Sequence, residues 1–313
     1  MRADVAAYVG RDNASSGPRL YQMPVAVARR VARRLARAAD LPQPPVAIDR
    51  SFAVPLADGA QINLRLFDSV TQRPPGPVML YFHGGGWALG DSGIYAPLCA
   101  ELARGLDLPV LSVDYRRAPE HPTPTGQQDC EAAARWVAEN PAVLPVKATA
   151  LVVAGDSCGG SYAISTAMAL RDAPAALPVI AQLVFYPAAD LATRYPSFRE
   201  FATGSLLDKH LMRWFAEQCA PDESDFRTSP LAGSVAGLPP ALVVTAELDP
   251  LRDQGRAYAH ALSQAGIPTC AHEAQGMVHA FLSMRGVIPS AHSELERLIA
   301  LAHPLVHRSV HRG

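Results

Sequence analysis

The sequence has few cysteines and no pattern that would pair them. Five occur among 313 residues, and none belongs to a CxxC pair. The five are Cys99, Cys130, Cys158, Cys219 and Cys270. An odd number of widely spaced cysteines argues against a disulfide framework and against a cysteine zinc site. This usage predicts free thiols in a reducing compartment.

Long apolar runs and a strong net charge are also lacking. No stretch approaches the roughly 20 apolar residues of a membrane-spanning helix, and no apolar run follows the first charges as it would in a signal peptide. The formal net charge is −1, which gives no reason to expect nucleic acid or an anionic membrane as the main partner. We therefore expect a cytoplasmic protein without stable membrane insertion.

A regular alternation of predicted strands and helices is what the sequence does contain. The predicted strands are 60–67, 78–82, 109–115, 150–154, 179–186, 241–246 and 268–273. The predicted helices between and after them are 96–105, 127–139, 161–170, 256–264 and 290–303. This alternation predicts an α/β fold with a mostly parallel central sheet flanked by helices.

Two segments interrupt the alternation. Residues 1–45 contain a predicted helix at 24–40, and an insertion at about 188–235 contains another at 208–218. We interpret both as a helical cap over the carboxyl edge of the sheet of an α/β domain at 46–313.

The first cap helix has an apolar stripe of Val27, Val31 and Leu35. Its other face carries Arg29, Arg30, Arg33, Arg34 and Arg37. These arginines could bind an anionic membrane. We favour a solvated outer face on a lid helix, because the stripe is narrow and the following domain gives it a surface to cover.

The segment Gly155-Asp156-Ser157-Cys158-Gly159 joins a predicted strand to a predicted helix. It fits the G-x-S-x-G turn, which holds a serine oxygen above the sheet edge beside a helix N-terminus. So sharp a turn strains the serine backbone to φ > 0, and side chains in place of the glycines would collide with the neighbouring strand and helix. A chain of this length matches the pattern by chance about one time in ten, so the pattern alone is weak evidence.

A glycine loop, His83-Gly84-Gly85-Gly86-Trp87, follows the predicted strand 78–82. Consecutive glycines let backbone N–H groups approach a substrate closely, as an oxyanion hole for acyl transfer requires. Such loops accompany the G-x-S-x-G turn in lipases and esterases. A phosphate-binding loop would need GxGxxG or GxxxxGK[ST], and neither fits.

A carboxylate and a histidine should follow the serine in the chain, in that order. Asp249 follows the predicted strand 241–246, with Glu247 and Asp253 as rivals that could instead form salt bridges. His279 lies in the loop after the last predicted strand. It is the one histidine of the sequence that fits both the required chain order and this position. The other histidines precede this position, lie in a strand, or lie on the final helix and tail: His83, His121, His210, His260, His272, His292, His303, His307 and His311.

The chain resembles the bacterial hormone-sensitive-lipase-like family of α/β-hydrolase serine esterases from about residue 50 to 285. Besides the two glycine motifs, the resemblance rests on the segments 114–122, 229–231, 249–253 and 276–281. It implies an α/β-hydrolase fold and a triad of Ser157, Asp249 and His279. It also implies an oxyanion hole from the N–H groups of Gly85, Gly86 and Cys158, with His83 and Gly84 supporting the loop.

The resemblance further implies hydrolysis of short- to medium-chain acyl esters through an acyl-enzyme. No metal or organic cofactor is expected, the partner is a small-molecule ester, and the chain is a monomer or a homodimer. An amidase or deacetylase with the same triad, or a non-catalytic receptor on this fold, remain alternatives. The sequence departs from the family at Cys158, where alanine is usual, and at Arg117, where leucine is commoner.

Two further groups have open interpretations. Arg116, Glu120 and Asp129 could bind substrate, but we favour a structural ion-pair network behind the glycine loop. Four aromatic residues could line the substrate pocket or simply belong to the core: Trp87, Tyr186, Trp214 and Phe215.

Overall fold

The structure is a computed structural model and describes residues 1–307. The end of the predicted domain 46–313, with His311, lies outside the described residues. Within residues 1–307, no helix is both long enough and apolar enough to cross a membrane. The five cysteines are free thiols, and only Cys270 is not buried.

Within residues 1–307, eight strands form a single sheet in the order β1-β2-β4-β3-β5-β6-β7-β8. The strands are β1 (Ile48–Pro55), β2 (Gln61–Asp68), β3 (Gly76–Phe82), β4 (Val110–Asp114), β5 (Ala148–Asp156), β6 (Val179–Phe185), β7 (Ala241–Leu248) and β8 (Thr269–Val278). Strand β2 runs antiparallel to both of its neighbours, β1 and β4. From β4 to β8 all pairs are parallel, so these carboxyl ends share one edge.

Helices cover both faces of the sheet. They are α1 (Ala3–Ala14), α2 (Val25–Ala39), α3 (Ser92–Gly105), α4 (Thr125–Ala138), α5 (Cys158–Asp172), α6 (Pro196–Glu200), α7 (Lys209–Cys219), α8 (Arg252–Gln264) and α9 (Pro289–Val306). One apolar core contains buried side chains of α4, α5 and α8. The other contains those of α1, α3 and α9. This confirms the predicted α/β fold.

The predicted elements differ from the structure mainly at the ends of the chain. Strand β1 and helices α1 and α6 were not predicted. Five of the eight residues of β1 are exposed, including Arg50, so it has no apolar run that would mark it as a strand. Strand β8 extends five residues beyond its predicted end, to Val278. This extension carries the chain up to His279.

Helix α1 packs against α9 and β8 rather than against α2. The Asp4 carboxylate accepts hydrogen bonds from the N–H and hydroxyl of Ser290, at 2.8 and 2.9 Å, at the start of α9. At its other end, Asn13 donates to the carbonyl of Gly204 in the insertion, at 3.3 Å. Residues 1–45 therefore contact both the sheet domain and the insertion.

The predicted apolar stripe of α2 is not its buried face. Leu35 is 54% exposed, whereas Ala28 is fully buried. Small alanines let α2 approach the glycine loop closely, and a stripe of branched side chains would hold it further away. Of the predicted outer arginines, Arg29 instead points inward, and Arg33 pairs with Asp91 at 2.6 Å.

Candidate active site

Ser157 lies at the turn between β5 and α5, with φ 56° and ψ −124°. The positive φ is the strained conformation that the sequence predicted. A Cβ on Gly155 would lie 2.6 Å from the carbonyl oxygen of Phe82, and one on Gly159 would lie 2.6 Å from that of His83. Both glycines are therefore required where β5 and α5 pass beside the end of β3.

Asp249 and His279 lie side by side because of the sheet register. Leu248 pairs with Val278 across β7 and β8, so the next residue of each strand leaves the same edge. His279 Nδ1 lies 2.6 Å from Asp249 Oδ2, and His279 Nε2 lies 2.9 Å from Ser157 Oγ. Asp249 is fully buried and its other oxygen accepts the N–H of Leu251 at 2.8 Å. The three predicted residues thus form one continuous hydrogen-bonded chain.

The rival carboxylates have other partners. Glu247 accepts the N–H of Gly276 at 2.6 Å. Asp253 accepts the N–H of Ser197 at 2.9 Å and pairs with Arg252 at 2.8 Å. The two ring nitrogens of His279 bond Asp249 and Ser157 instead.

The glycine loop turns sharply after β3. Gly85 and Gly86 have φ of 123° and 57°, values that L side chains rarely adopt. Leu89 donates its N–H to the carbonyl of Gly85 at 2.8 Å, which closes the turn. Cys158 is the first residue of α5, so its N–H has no acceptor within its own helix.

His83 supports this loop from within the protein. Its ring is completely buried, and burial lowers the pKa of the imidazole, which keeps it neutral. Nδ1 lies 2.9 Å from the carbonyl oxygen of Gly84, and the ring stacks on Tyr115 with centroids 4.2 Å apart.

A buried carboxylate joins the glycine loop to the serine turn. Asp156 accepts hydrogen bonds from the N–H of Gly84 at 2.8 Å and from the hydroxyls of Tyr81 and Tyr95 at 2.9 and 3.0 Å. Burial raises the pKa of Asp156 to about 6, against the three hydrogen bonds, which lower it. Sequence reasoning missed this role, although Asp156 stands inside the serine motif itself.

The thiol of Cys158 also contacts the glycine loop. Its sulfur accepts the N–H of Trp87 at 3.2 Å. Burial raises the pKa of this thiol to about 12, so it stays protonated at neutral pH. The side chain that departs from the family pattern therefore lies behind the loop as a neutral group.

The insertion and α2 meet over the glycine loop. Ala28 of α2, Ala88 and Leu89 of the loop, and Trp214 of α7 form one buried apolar cluster. The ring of Phe215 lies so close to Gly86 that a Cβ there would overlap it.

The remaining aromatic candidates lie in the core around the site. The ring of Tyr186 packs edge-on against His279, with centroids 4.9 Å apart. Trp87 is buried within one of the two main apolar cores.

The predicted ion-pair network consists of two separate parts. Arg116 forms a fork with the buried Asp129 at 2.8 to 3.2 Å and also reaches Asp58 at 2.7 Å. Glu120 does not belong to this network, because both of its oxygens bond Arg29. Sequence reasoning could not pair residues 91 positions apart.

Comparison with known proteins identifies the fold and the family of the chain. A family model described as the alpha/beta hydrolase fold matches residues 79–283. Esterase LipI of Mycobacterium tuberculosis is 38% identical over 280 residues, which cover 85% of this chain and 86% of LipI. An ethyl acetate hydrolase of Pseudomonas putida is 38% identical over 248 residues, which cover 77% and 78% of the two chains.

Solved structures give the same result. A thermostable esterase from Pseudomonas putida superimposes with a TM-score of 0.92 at 29% identity, over 99% of this chain and 98% of that one. An ester hydrolase from the metagenome of Lake Arreo superimposes with a TM-score of 0.90 at 33% identity, over 97% and 98%.

The chain therefore belongs to the hormone-sensitive-lipase-like family of the alpha/beta hydrolase fold. It is a carboxylic-ester hydrolase of the serine esterase type.

Proposed function

We propose that Ser157, His279 and Asp249 are the catalytic triad of this esterase. The observation that carries the proposal is the hydrogen-bonded chain from the Asp249 carboxylate through His279 to the Ser157 hydroxyl, at 2.6 and 2.9 Å. His279 takes the serine proton as Ser157 attacks the ester carbonyl, and Asp249 orients and stabilises the imidazolium that forms. His279 then protonates the leaving alcohol, and water repeats the cycle on the acyl-enzyme.

The N–H groups of Gly85, Gly86 and Cys158 are proposed to stabilise the oxyanion. The positive φ of both glycines and the position of Cys158 at the N-terminus of α5 support this assignment. A helix N-terminus favours negative charge, and each fixed donor contributes about 10²–10³ to the rate. His83, Gly84 and Asp156 hold the loop that carries the two glycines.

The proposed substrates are esters of short- to medium-chain acids. Phe215 lies against Gly86, so one side of the proposed oxyanion hole is closed by an aromatic ring. The Pseudomonas putida relative that is named ethyl acetate hydrolase supports small ester substrates. A rate survey over acyl lengths C2 to C16, with matched amides, tests this choice. A higher rate on the amides would favour the amidase alternative.

We also propose that residues 1–45 and 188–235 act together as the cap of the 46–313 domain. The cluster of Ala28, Leu89 and Trp214 joins the two segments over the glycine loop and supports this division.

Replacement of the nucleophile tests the triad directly. Ser157→Ala is expected to lower kcat for p-nitrophenyl butyrate by about 10⁴-fold or more, because within residues 1–307 no other hydroxyl bonds His279. The matched control is Ser263→Ala on the exposed side of α8, which should keep wild-type rates. Full activity of Ser157→Ala would refute the proposed triad.

A further inference from the structure

Arg29 is the one α2 side chain that reaches the carbonyl groups behind the glycine loop in residues 1–307. Its Nε donates to the carbonyl of Ala88 at 2.8 Å, and its Nη2 donates to that of Ala118 at 2.7 Å. The same guanidinium bonds both oxygens of Glu120, at 2.8 and 2.6 Å. A planar fork of this kind fixes its partners in direction as well as in distance.

The two carbonyl groups belong to segments that already touch. Ala118 donates its N–H to the carbonyl of Trp87 at 3.0 Å, directly before Ala88. Arg29 therefore cross-links the glycine loop to the segment after β4 by bonding one carbonyl group in each. Gly85, Gly86 and Trp87 all have positive φ in this turn. The peptide between Ala88 and Leu89, whose carbonyl Arg29 bonds, donates its N–H to the carbonyl of Gly85 at 2.8 Å. Rotation of this peptide would therefore break the bond that closes the glycine turn.

The other end of α2 is fixed by the segment that follows His279 in the chain. Arg285 bonds both oxygens of Asp40 at 2.7 and 2.8 Å, and the pair is almost completely buried. Gly286 also donates its N–H to the carbonyl of Ala39 at 2.9 Å. Helix α2 is thus held at one end by the segment after His279 and at the other by the glycine loop.

The ion pair itself gives little reason to expect a purely stabilising role. The Glu120 side chain is 52% exposed, and exposed pairs contribute little to stability. The two carbonyl contacts, in contrast, hold the backbone of the glycine loop at Ala88 and of the adjoining segment at Ala118.

We propose that Arg29 is a positioning residue for the oxyanion hole. By bonding the carbonyl groups of Ala88 and Ala118, it keeps the N–H groups of Gly85 and Gly86 directed at the oxyanion. The rate of acyl transfer thereby depends on the position of helix α2. This inference rests on the proposed function, because it requires these N–H groups to stabilise the transition state.

The test compares Arg29→Met with Arg30→Met, a neighbouring arginine of the same helix with an exposed side chain. For Arg29→Met, we expect kcat and kcat/KM for p-nitrophenyl butyrate to fall together by about 10- to 100-fold, as for lost transition-state interactions. Affinity for a trifluoromethyl ketone, whose serine adduct places an oxyanion in the hole, should fall by a similar factor. Arg30→Met should change neither quantity.

Glu120→Gln separates positioning from the ion pair. It removes the charge partner and leaves the two carbonyl bonds, so we expect rates within about threefold of wild type. If Arg29→Met does not fold, Arg29→Lys replaces it, since a single ammonium cannot span both carbonyl groups in the same geometry. Lysine should lower kcat and ketone affinity together.

Two results would overturn the inference. One is wild-type kcat and ketone affinity in the Arg29 variants. The other is an equal loss in Glu120→Gln, which would make the ion pair itself the cause. Neither result touches the proposed triad. Activity that survives in Ser157→Ala would count against the triad instead, so the two failures can be told apart.

Discussion

At the residue scale, one contact supports Asp249 as the acid of the proposed triad. Asp249 bonds His279 Nδ1 at 2.6 Å, whereas Asp253 bonds Ser197 and arginines. Asp249→Asn keeps the shape but favours the wrong imidazole tautomer, and we expect kcat to fall by about 10⁴-fold. Asp253→Asn is the matched control and should lose at most about tenfold. Initial rates on p-nitrophenyl butyrate measure both, and the reverse order would make Asp253 the acid.

Asp156 makes stability depend on pH with a definite sign. Its folded-state pKa, about 6, lies above the ordinary 3.8, so the folded protein binds this proton more tightly than the unfolded chain does. This group therefore adds stability as the pH falls from about 6 towards 4. When the pH is lowered from 7 to 5, the free energy of unfolding of the wild type should rise by about 1 kcal/mol relative to that of Asp156→Asn. Equal differences in urea unfolding at both pH values would contradict the raised pKa.

The residues of the proposed triad could be predicted because each follows the end of a strand. The G-x-S-x-G motif indicated Ser157, and chain order with a position after a predicted strand favoured Asp249 and His279. Asp156 and Arg29 could not be assigned in this way. Their roles depend on partners 59 to 89 positions away, Ala88 and Ala118 for Arg29 and Tyr95 for Asp156, which only the folded chain brings close.

At the scale of elements, the sheet was predictable and the edge and cap packing were not. Buried parallel strands such as β5 are continuous apolar runs, which stand out in the sequence. Strand β1 is mostly exposed, and the covering face of α2 is made of alanines, so apolar patterning gave no signal for either.

Helix α2 offers a direct test of which face is buried. Ala28 is fully buried in the cluster beneath the cap, and Leu35 is 54% exposed. Ala28→Leu should destabilise the protein by about 1–3 kcal/mol through overpacking. Leu35→Gln should change stability by at most about 0.5 kcal/mol. Thermal melting compares the stability of the two variants. A larger loss of stability for Leu35→Gln would show that the predicted apolar stripe is the buried face after all.

At the scale of the whole molecule, the N-terminal segment 1–45 is bonded to the segment that follows His279. The buried pair of Asp40 and Arg285 joins residues 245 positions apart. Arg285→Met leaves a buried carboxylate without its partner and should cost about 3–5 kcal/mol. The double variant Asp40→Leu with Arg285→Met should recover much of this loss, because this pair of positions then holds no buried charge. Urea unfolding measures both, and a wild-type midpoint for Arg285→Met would contradict this link.

The most direct test of the central claim is covalent labelling of the nucleophile. A p-nitrophenyl phosphonate should inactivate the enzyme with release of one p-nitrophenol per chain. Peptide mass spectrometry should then place the phosphonyl group on Ser157, the only hydroxyl bonded to His279 in residues 1–307. An inactivated enzyme that carries the group on another residue, with Ser157 unmodified, would contradict the proposed mechanism.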